Sequence, residues 1–179
     1  MLGALTVLGL WVAGSVQALI PTNNTVYPVG AVFTIEHEIT QSPDAWTAEQ
    51  TNMAFDGAII MPLPASTPNP VHTNLGGATL CGDLITWPAT PATVYGGCAR
   101  LSGFVTDTGV TRLWKFECVN PGTTPLHLIT NAEVGVAIGT NFALELDTGD
   151  PITQDASVTC VLPLTKSDGV PGTGTYSAG

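Results

Sequence analysis

The sequence predicts an all-β antiparallel sandwich with one short helix, and three observations carry that prediction. Runs in which apolar and polar residues alternate, such as Val29 to Thr40, recur at short intervals. Turn clusters such as Asn120-Pro121-Gly122 and Thr148-Gly149-Asp150-Pro151 separate them. Four cysteines, an even number, follow an apolar leader, the setting in which cysteines pair as structural staples.

Residues 1–20 hold no charged side chain, and the apolar block from Leu2 to Ala13 runs into Val16-Gln17-Ala18. A secretory signal has this form, with a small-x-small cut after Ala18. Residues 1–18 are therefore expected to be a signal peptide, 19–165 one β-sandwich domain, and 166–179 a flexible tail of Gly, Ser, Thr and Pro. About twenty apolar residues can also cross a bilayer or build a filament core, so an extracellular filament subunit retaining residues 1–20 is a competing reading. Ser15, Gln17 and the lack of any Lys or Arg before Arg100 favour cleavage, and with it no membrane attachment of the mature chain.

The charge balance narrows the partners. Four Lys plus Arg against fourteen Asp plus Glu leave a net charge of −10. Such an acidic protein repels phosphate backbones and anionic lipid surfaces, which argues against nucleic acid. With 44% hydrophobic and only 10% charged residues, the chain is too apolar for intrinsic disorder. Asn23-Asn24-Thr25 is an acceptor sequence for glycosylation at Asn23, so the expected product is a secreted glycoprotein, extracellular or attached to the cell surface.

Taken in order, Val29 to Thr40 reads as a half-buried strand, with Phe33, Ile35, His37 and Ile39 on one face and Thr34, Glu36 and Glu38 on the other. Ser42-Pro43-Asp44 supplies helix-start chemistry, so Ala45 to Phe55 is expected to be the short helix, with Trp46, Met53 and Ala54 inward. Ala58 to Leu63 is cut off by Pro62 and Pro64, and the stretch to Pro70 reads as an exposed loop. Further strands are expected at Ala78–Trp87, Ala99–Thr106, Val110–Val119, Leu126–Thr130, Glu133–Ile138, Phe142–Asp147 and Ala156–Leu164. Many short strands without intervening helices point to stacked antiparallel sheets.

The stretch Pro21 to Ile35, a proline-led strand, a glycine and a second strand ending in isoleucine, resembles the start of immunoglobulin-like β-sandwich domains of fungal cell-surface proteins. His37 stands near the place where those domains often carry a tryptophan. The resemblance, which extends over residues 21–40, implies an immunoglobulin-like sandwich associated with a cell wall or matrix and carries no catalytic residues with it.

Cys81, Cys98, Cys118 and Cys160 admit three pairings, of which Cys81–Cys98 with Cys118–Cys160 is favoured because the second pair falls mid-strand. No two are spaced as zinc ligands or as a Cys-x-x-Cys redox pair, so no metal or cofactor is expected. His37, His72 and His127 stand too far apart in sequence to form a ligand pair, and His37 is expected to be buried and hydrogen-bonded.

Asp-Thr-Gly occurs twice, at Asp107-Thr108-Gly109 and Asp147-Thr148-Gly149. Aspartic proteases present paired carboxylates on such loops, where two acids share a proton. Two protease lobes need about twice this length, however, and the same triplet is ordinary hairpin chemistry. Asp107, Asp147 and Asp150 are thus the catalytic candidates of a competing reading, a secreted hydrolase of polysaccharide or peptide. Trp87 and Tyr95 flank a proline-rich segment and are the candidates for ligand contact. The preferred reading is a non-catalytic extracellular binding or structural protein, a cell-wall, matrix or host-facing module whose partner is a protein or a polysaccharide.

Overall fold

In the computed structural model, the described residues are 16–20, 24–42, 45–64, 67–86, 91–134, 139–144, 148–149 and 151–164. The elements are β1 (Val16–Ile20), β2 (Thr25–Pro28), β3 (Val32–Gln41), β4 (Trp46–Phe55), β5 (Ile60–Pro62), β6 (Val71–His72), a 3-10 turn at Leu75–Gly77, β7 (Leu80–Thr86) and β8 (Ala92–Ala99). There follow β9 (Gly109–Cys118), β10 (Gly122–Leu128), α1 (Asn131–Val134), β11 (Asn141–Leu144), β12 (Thr148–Gly149), β13 (Ile152–Gln154) and β14 (Ala156–Val161). No helix among the described residues is long and apolar enough to cross a membrane.

Two sheets make the sandwich. The first runs β13-β1-β3-β9-β5, with β6 also on β9. In the second, β7 pairs β8 and β8 pairs β4, while β11 and β10 share the far edge of β4 and the order continues through β14 to β2. Inward-facing Phe33, Ile35, Trp114 and Phe116 of the first sheet meet Met53, Phe55, Val94, Leu126, Leu128 and Val158 of the second. A smaller apolar cluster of Ile39, Trp46 and Phe142 closes the other end. The Cys118–Cys160 disulfide joins β9 to β14 and so ties one sheet to the other. Its 42-residue separation corresponds to about 4 kcal/mol in the chain-entropy account.

Several expected elements are corrected. Ala45–Phe55 is not a helix: Trp46–Phe55 forms β4, paired with β8 over eight residues from Ala48↔Ala99 to Phe55↔Ala92. Its inward residues include polar Glu49 and Thr51, while alanines Ala48 and Ala54 face outward, so the period of two is invisible to a hydrophobicity count. Ala92–Ala99 is β8, and of the stretch expected as a strand over Ala99–Thr106 only Ala99, the last residue of β8, and Val105, through a bridge to Trp46, pair with other strands. Asn131–Val134 is helical where a strand was expected from Glu133: the Glu133 side chain reaches back to Thr130, whose N–H and Oγ1–H both donate to its carboxylate, the carboxylate half of a capping box. Ile60–Pro62, within the apolar run that Pro62 and Pro64 cut off, pairs with β9. The tail 166–179 lies outside the described residues. β1 is built from Val16–Ile20 and pairs with β3 and β13, so the expected cut after Ala18 falls within a strand.

Between the two apolar clusters lies a buried polar layer. Arg112 on β9 spans the sandwich, donating through Nη2 to Glu49 on β4 and through Nη1 to the carbonyl of Gly96 on β8, and both side chains of the ion pair are at most 1% exposed. Gly96 is required here, since a Cβ would stand 3.2 Å from Trp114, 3.3 Å from Arg112 and 2.4 Å from Asp83. Burial pushes the Glu49 carboxyl above its ordinary value, with Arg112 the chief opposing influence.

Removing one member of such a pair strands a buried charge. Arg112→Ala is expected to lose roughly 3–5 kcal/mol of stability in urea unfolding. Replacing both partners, Glu49→Met with Arg112→Met, is expected to lose less than that single change, since no buried charge is stranded. A double variant less stable than Arg112→Ala would contradict this account.

Candidate functional site

The outer face of β7, β8 and β4 differs in character from the outer face of β3 and β9 in the opposite sheet. Alternation along these strands turns Leu80, Gly82, Leu84 and Thr86 of β7 outward, beside Thr93, Tyr95, Gly97 and Ala99 of β8 and Ala48, Gln50, Asn52 and Ala54 of β4. None of the twelve is Asp, Glu, Lys, Arg or His. On the opposite sheet the outer face carries Glu36, Glu38, Glu117 and Lys115. Burial does not account for the leucines of this face, since Leu80 and Leu84 are 55% and 61% exposed. Leu84 and Tyr95 stand directly opposite in the ladder. The Tyr95 hydroxyl donates to Gln50 Oε1 at 2.8 Å, and Gln50 Nε2 donates to the Gly139 carbonyl at 2.6 Å, which fixes the face against β11.

At one end of this face, a groove of about 420 Å³ opens where β4 ends, between Ala54, Phe55, Asp56, Pro91, Pro125 and His127. The ring of His127 is held between two carboxylates, with Nδ1 2.7 Å from Asp155 and Nε2 2.9 Å from Glu133. Hydrogen bonding to Asp155 is the main cause that raises the imidazole above its ordinary value. The Thr130 backbone N–H, the His127 ring and the Thr130 hydroxyl bring the Glu133 carboxyl down to about 2.

His37 is the opposite case. It is fully buried, with Gln17 Oε1 2.6 Å from Nε2 and Thr111 Oγ1 2.6 Å from Nδ1. Gln17 Oε1 can only accept, so Nε2 carries the proton and a threonine hydroxyl donates to Nδ1. Burial, and after it the charge of Arg112, holds this imidazole well below its ordinary value.

Of the residues singled out from sequence, Tyr95 lies on the uncharged face. Asp107 is exposed in the β8–β9 connection, where its carbonyl accepts from Trp46 Nε1 at 3.1 Å, and no second carboxylate is paired with it among the described residues. Asp147, Asp150, Trp87 and Asn23 lie outside the described residues. Cys81 and Cys98 are bonded across β7 and β8, and His72 Nδ1 lies 3.2 Å from Cys98 Sγ while its Nε2 lies 2.8 Å from Asp83. His72, Cys81 and Cys98 bring their donor atoms within 4.8 Å of one another, but the disulfide engages both sulfurs. Sequence reasoning missed the β7–β8–β4 face because it read β4 as a helix and did not recognise β8.

Comparison of the sequence with protein families and with curated proteins finds no match. Solved structures do share the architecture. A cohesin module from a Clostridium perfringens family 33 glycoside hydrolase matches with a TM-score of 0.61 at 10% identity, covering 83% of this chain and 97% of the other. A type II cohesin domain from the cellulosome of Acetivibrio cellulolyticus gives 0.59 at 16%, covering 88% and 98%. A type I cohesin–dockerin complex from Clostridium thermocellum gives 0.58 at 10%, covering 83% and 99%. The shared property is a β-sandwich fold of the cohesin kind, and these neighbours are not the fungal immunoglobulin-like proteins that residues 21–40 suggested.

The two histidines act on stability in opposite directions. The unfolded chain binds a proton at His37 that the folded chain refuses, so stability from His37 is lost as pH falls below about 6.5. His127, whose value is raised, contributes stability that is present at lower pH and lost as pH rises through that raised value. His127→Gln is therefore expected to steepen the fall of the urea midpoint between about pH 7.5 and 5.5. An unchanged slope would show that the Asp155–His127–Glu133 cluster does not contribute.

Proposed function

We propose that this chain is a non-catalytic extracellular binding module that docks a protein partner on the outer face of β7, β8 and β4. The observation that carries the reading is that face: twelve outward positions without a charge, two of them exposed leucines, on a protein otherwise kept apart from its neighbours by net negative charge. An uncharged surface that presents Leu80, Leu84 and Tyr95 on paired strands offers apolar contact with little conformational entropy to lose. The adjoining groove adds a recess for a side chain. The cohesin-type fold supports the same reading, since one of its solved examples is a complex with a dockerin. Two disulfides support an oxidising setting.

The test begins with immobilised protein and the secreted proteins of the producing cells, and continues with calorimetry on the purified partner. Leu84→Asp is expected to weaken binding at least about tenfold by burying a charge in the contact. Glu117→Gln on the opposite sheet is expected to leave it unchanged. Equal affinity for wild type and Leu84→Asp, or binding only to a glycan array, would overturn the proposed face.

Export is proposed to remove an apolar leader. The triplet Val16-Gln17-Ala18 belongs to β1, whereas Ala13-Gly14-Ser15 has the same small-x-small form and ends directly before it. A cut after Ser15 leaves β1 whole and keeps Gln17 on His37; a cut after Ala18 removes both Gln17 and the buried Ala18. The intact mass of the exported product is expected to place its first residue at Val16, and a mass that starts at Leu19 would refute that position.

A further inference from the structure

We propose that the Cys81–Cys98 disulfide is a thiol–disulfide exchange site, in which an external thiolate attacks Cys81 and His72, oriented by Asp83, receives the departing sulfur of Cys98. This assignment is independent of the docking face.

The two disulfides do different physical work. Cys118–Cys160 joins the sheets through the core, and its cysteines are at most 1% exposed. Cys81 and Cys98 stand directly opposite each other inside a ladder of seven paired residues, from Leu80↔Ala99 to Thr86↔Thr93. That ladder holds β7 against β8 whether or not the sulfurs are bonded. β7 is the outer strand, with Leu80 and Gly82 exposed on either side of a partly exposed Cys81. Cys98 is buried on β8.

The surroundings of Cys98 match what a leaving thiolate needs. Asp83 Oδ2 accepts from His72 Nε2 at 2.8 Å, which orients the ring, and Nδ1 then faces Cys98 Sγ from 3.2 Å. Cysteine, imidazole and carboxylate thus stand in line, with the third group orienting the second. When it carries a proton, the Nδ1 so placed stabilises negative charge on Cys98 and makes it the better leaving group; among the described residues its 3.2 Å contact is with Cys98, and no hydrogen bond links it to Cys81.

The chemistry balances with a thiol as reductant. A thiolate forms a bond to Cys81 Sγ as the Sγ–Sγ bond breaks, and the electron pair of that bond goes to Cys98, where the Nδ1 proton neutralises it. A second external thiolate then attacks the mixed disulfide and releases Cys81. One protein disulfide is reduced and two external thiols are oxidised to one disulfide.

The test uses the full chain with both bridges closed, exposed to reduced glutathione, quenched with iodoacetamide and read by peptide mass spectrometry. Expected are a glutathione adduct on Cys81, alkylation on Cys98, and a Cys118–Cys160 bridge that stays closed over the same time. His72→Gln is expected to slow the opening on the order of tenfold, and Asp83→Asn to slow it in the same direction. A variant that merely loosened the hairpin would open faster, which counts against the proposal. An adduct on Cys98, equal opening of both bridges, or a wild-type rate in His72→Gln would overturn it, and the adduct's position in the unaltered chain decides even where a variant fails to fold.

Discussion

The ion pair between Arg112 and Glu49 organises this sandwich. Stacked sheets stand about 10 Å apart, a gap that apolar side chains fill by interdigitation. Here one guanidinium crosses it, from β9 in the first sheet to β4 and the Gly96 carbonyl in the second. Every neighbour is constrained in turn. Gly96 can carry no side chain, Glu49 must face inward on a strand whose other face is neutral, and the register of β4 against β8 follows, because a slip of one residue would turn Glu49 out to solvent. A buried ion pair is weak evidence for stability in itself, but it specifies one alignment of the sheets where apolar contacts alone would tolerate several.

His37 completes that layer and shows how local irregularity serves it. β3 and β9 pair regularly until His37↔Arg112, then resume at Glu38↔Val110, leaving Thr111 without an opposite residue. This bulge brings the Thr111 hydroxyl to Nδ1 of His37, while β1 supplies Gln17 to Nε2. Three strands therefore converge on one neutral imidazole. The polar layer separates the large apolar cluster from the smaller one at Trp46, and along β3 the sequence of inward residues passes from Ile35 through His37 to Ile39, from one cluster to the other.

Legibility in the sequence followed burial pattern closely. β3 was readable because Phe33, Ile35 and Ile39 alternate with Thr34, Glu36 and Glu38, a period that requires nothing from elsewhere in the chain. β4 was not, because Glu49 and Thr51 are inward only by virtue of Arg112 and His37, both distant in sequence. β8 was hidden by Gly96 and Gly97, which ordinarily mark a turn; their small size is explained by Arg112, Trp114 and the backbone of β4 pressing on the strand. The uncharged face inherits both misreadings, since it exists only when β4 and β8 lie side by side. Tyr95 was singled out as an aromatic near a proline-rich segment, yet its neighbours on that face could not be named.

What the sequence determined by itself is the class of fold: short alternating runs, turn clusters and four cysteines suffice for a disulfide-stapled β-sandwich, because strand alternation and turn chemistry are local properties of the chain. Which pairs of cysteines join, and which strands lie edge to edge, were decided by the tertiary structure. So was the contrast between a charged face and a neutral one. These depend on contacts between residues far apart in sequence, Arg112 with Glu49 above all, and such contacts leave no periodic trace in the chain that makes them.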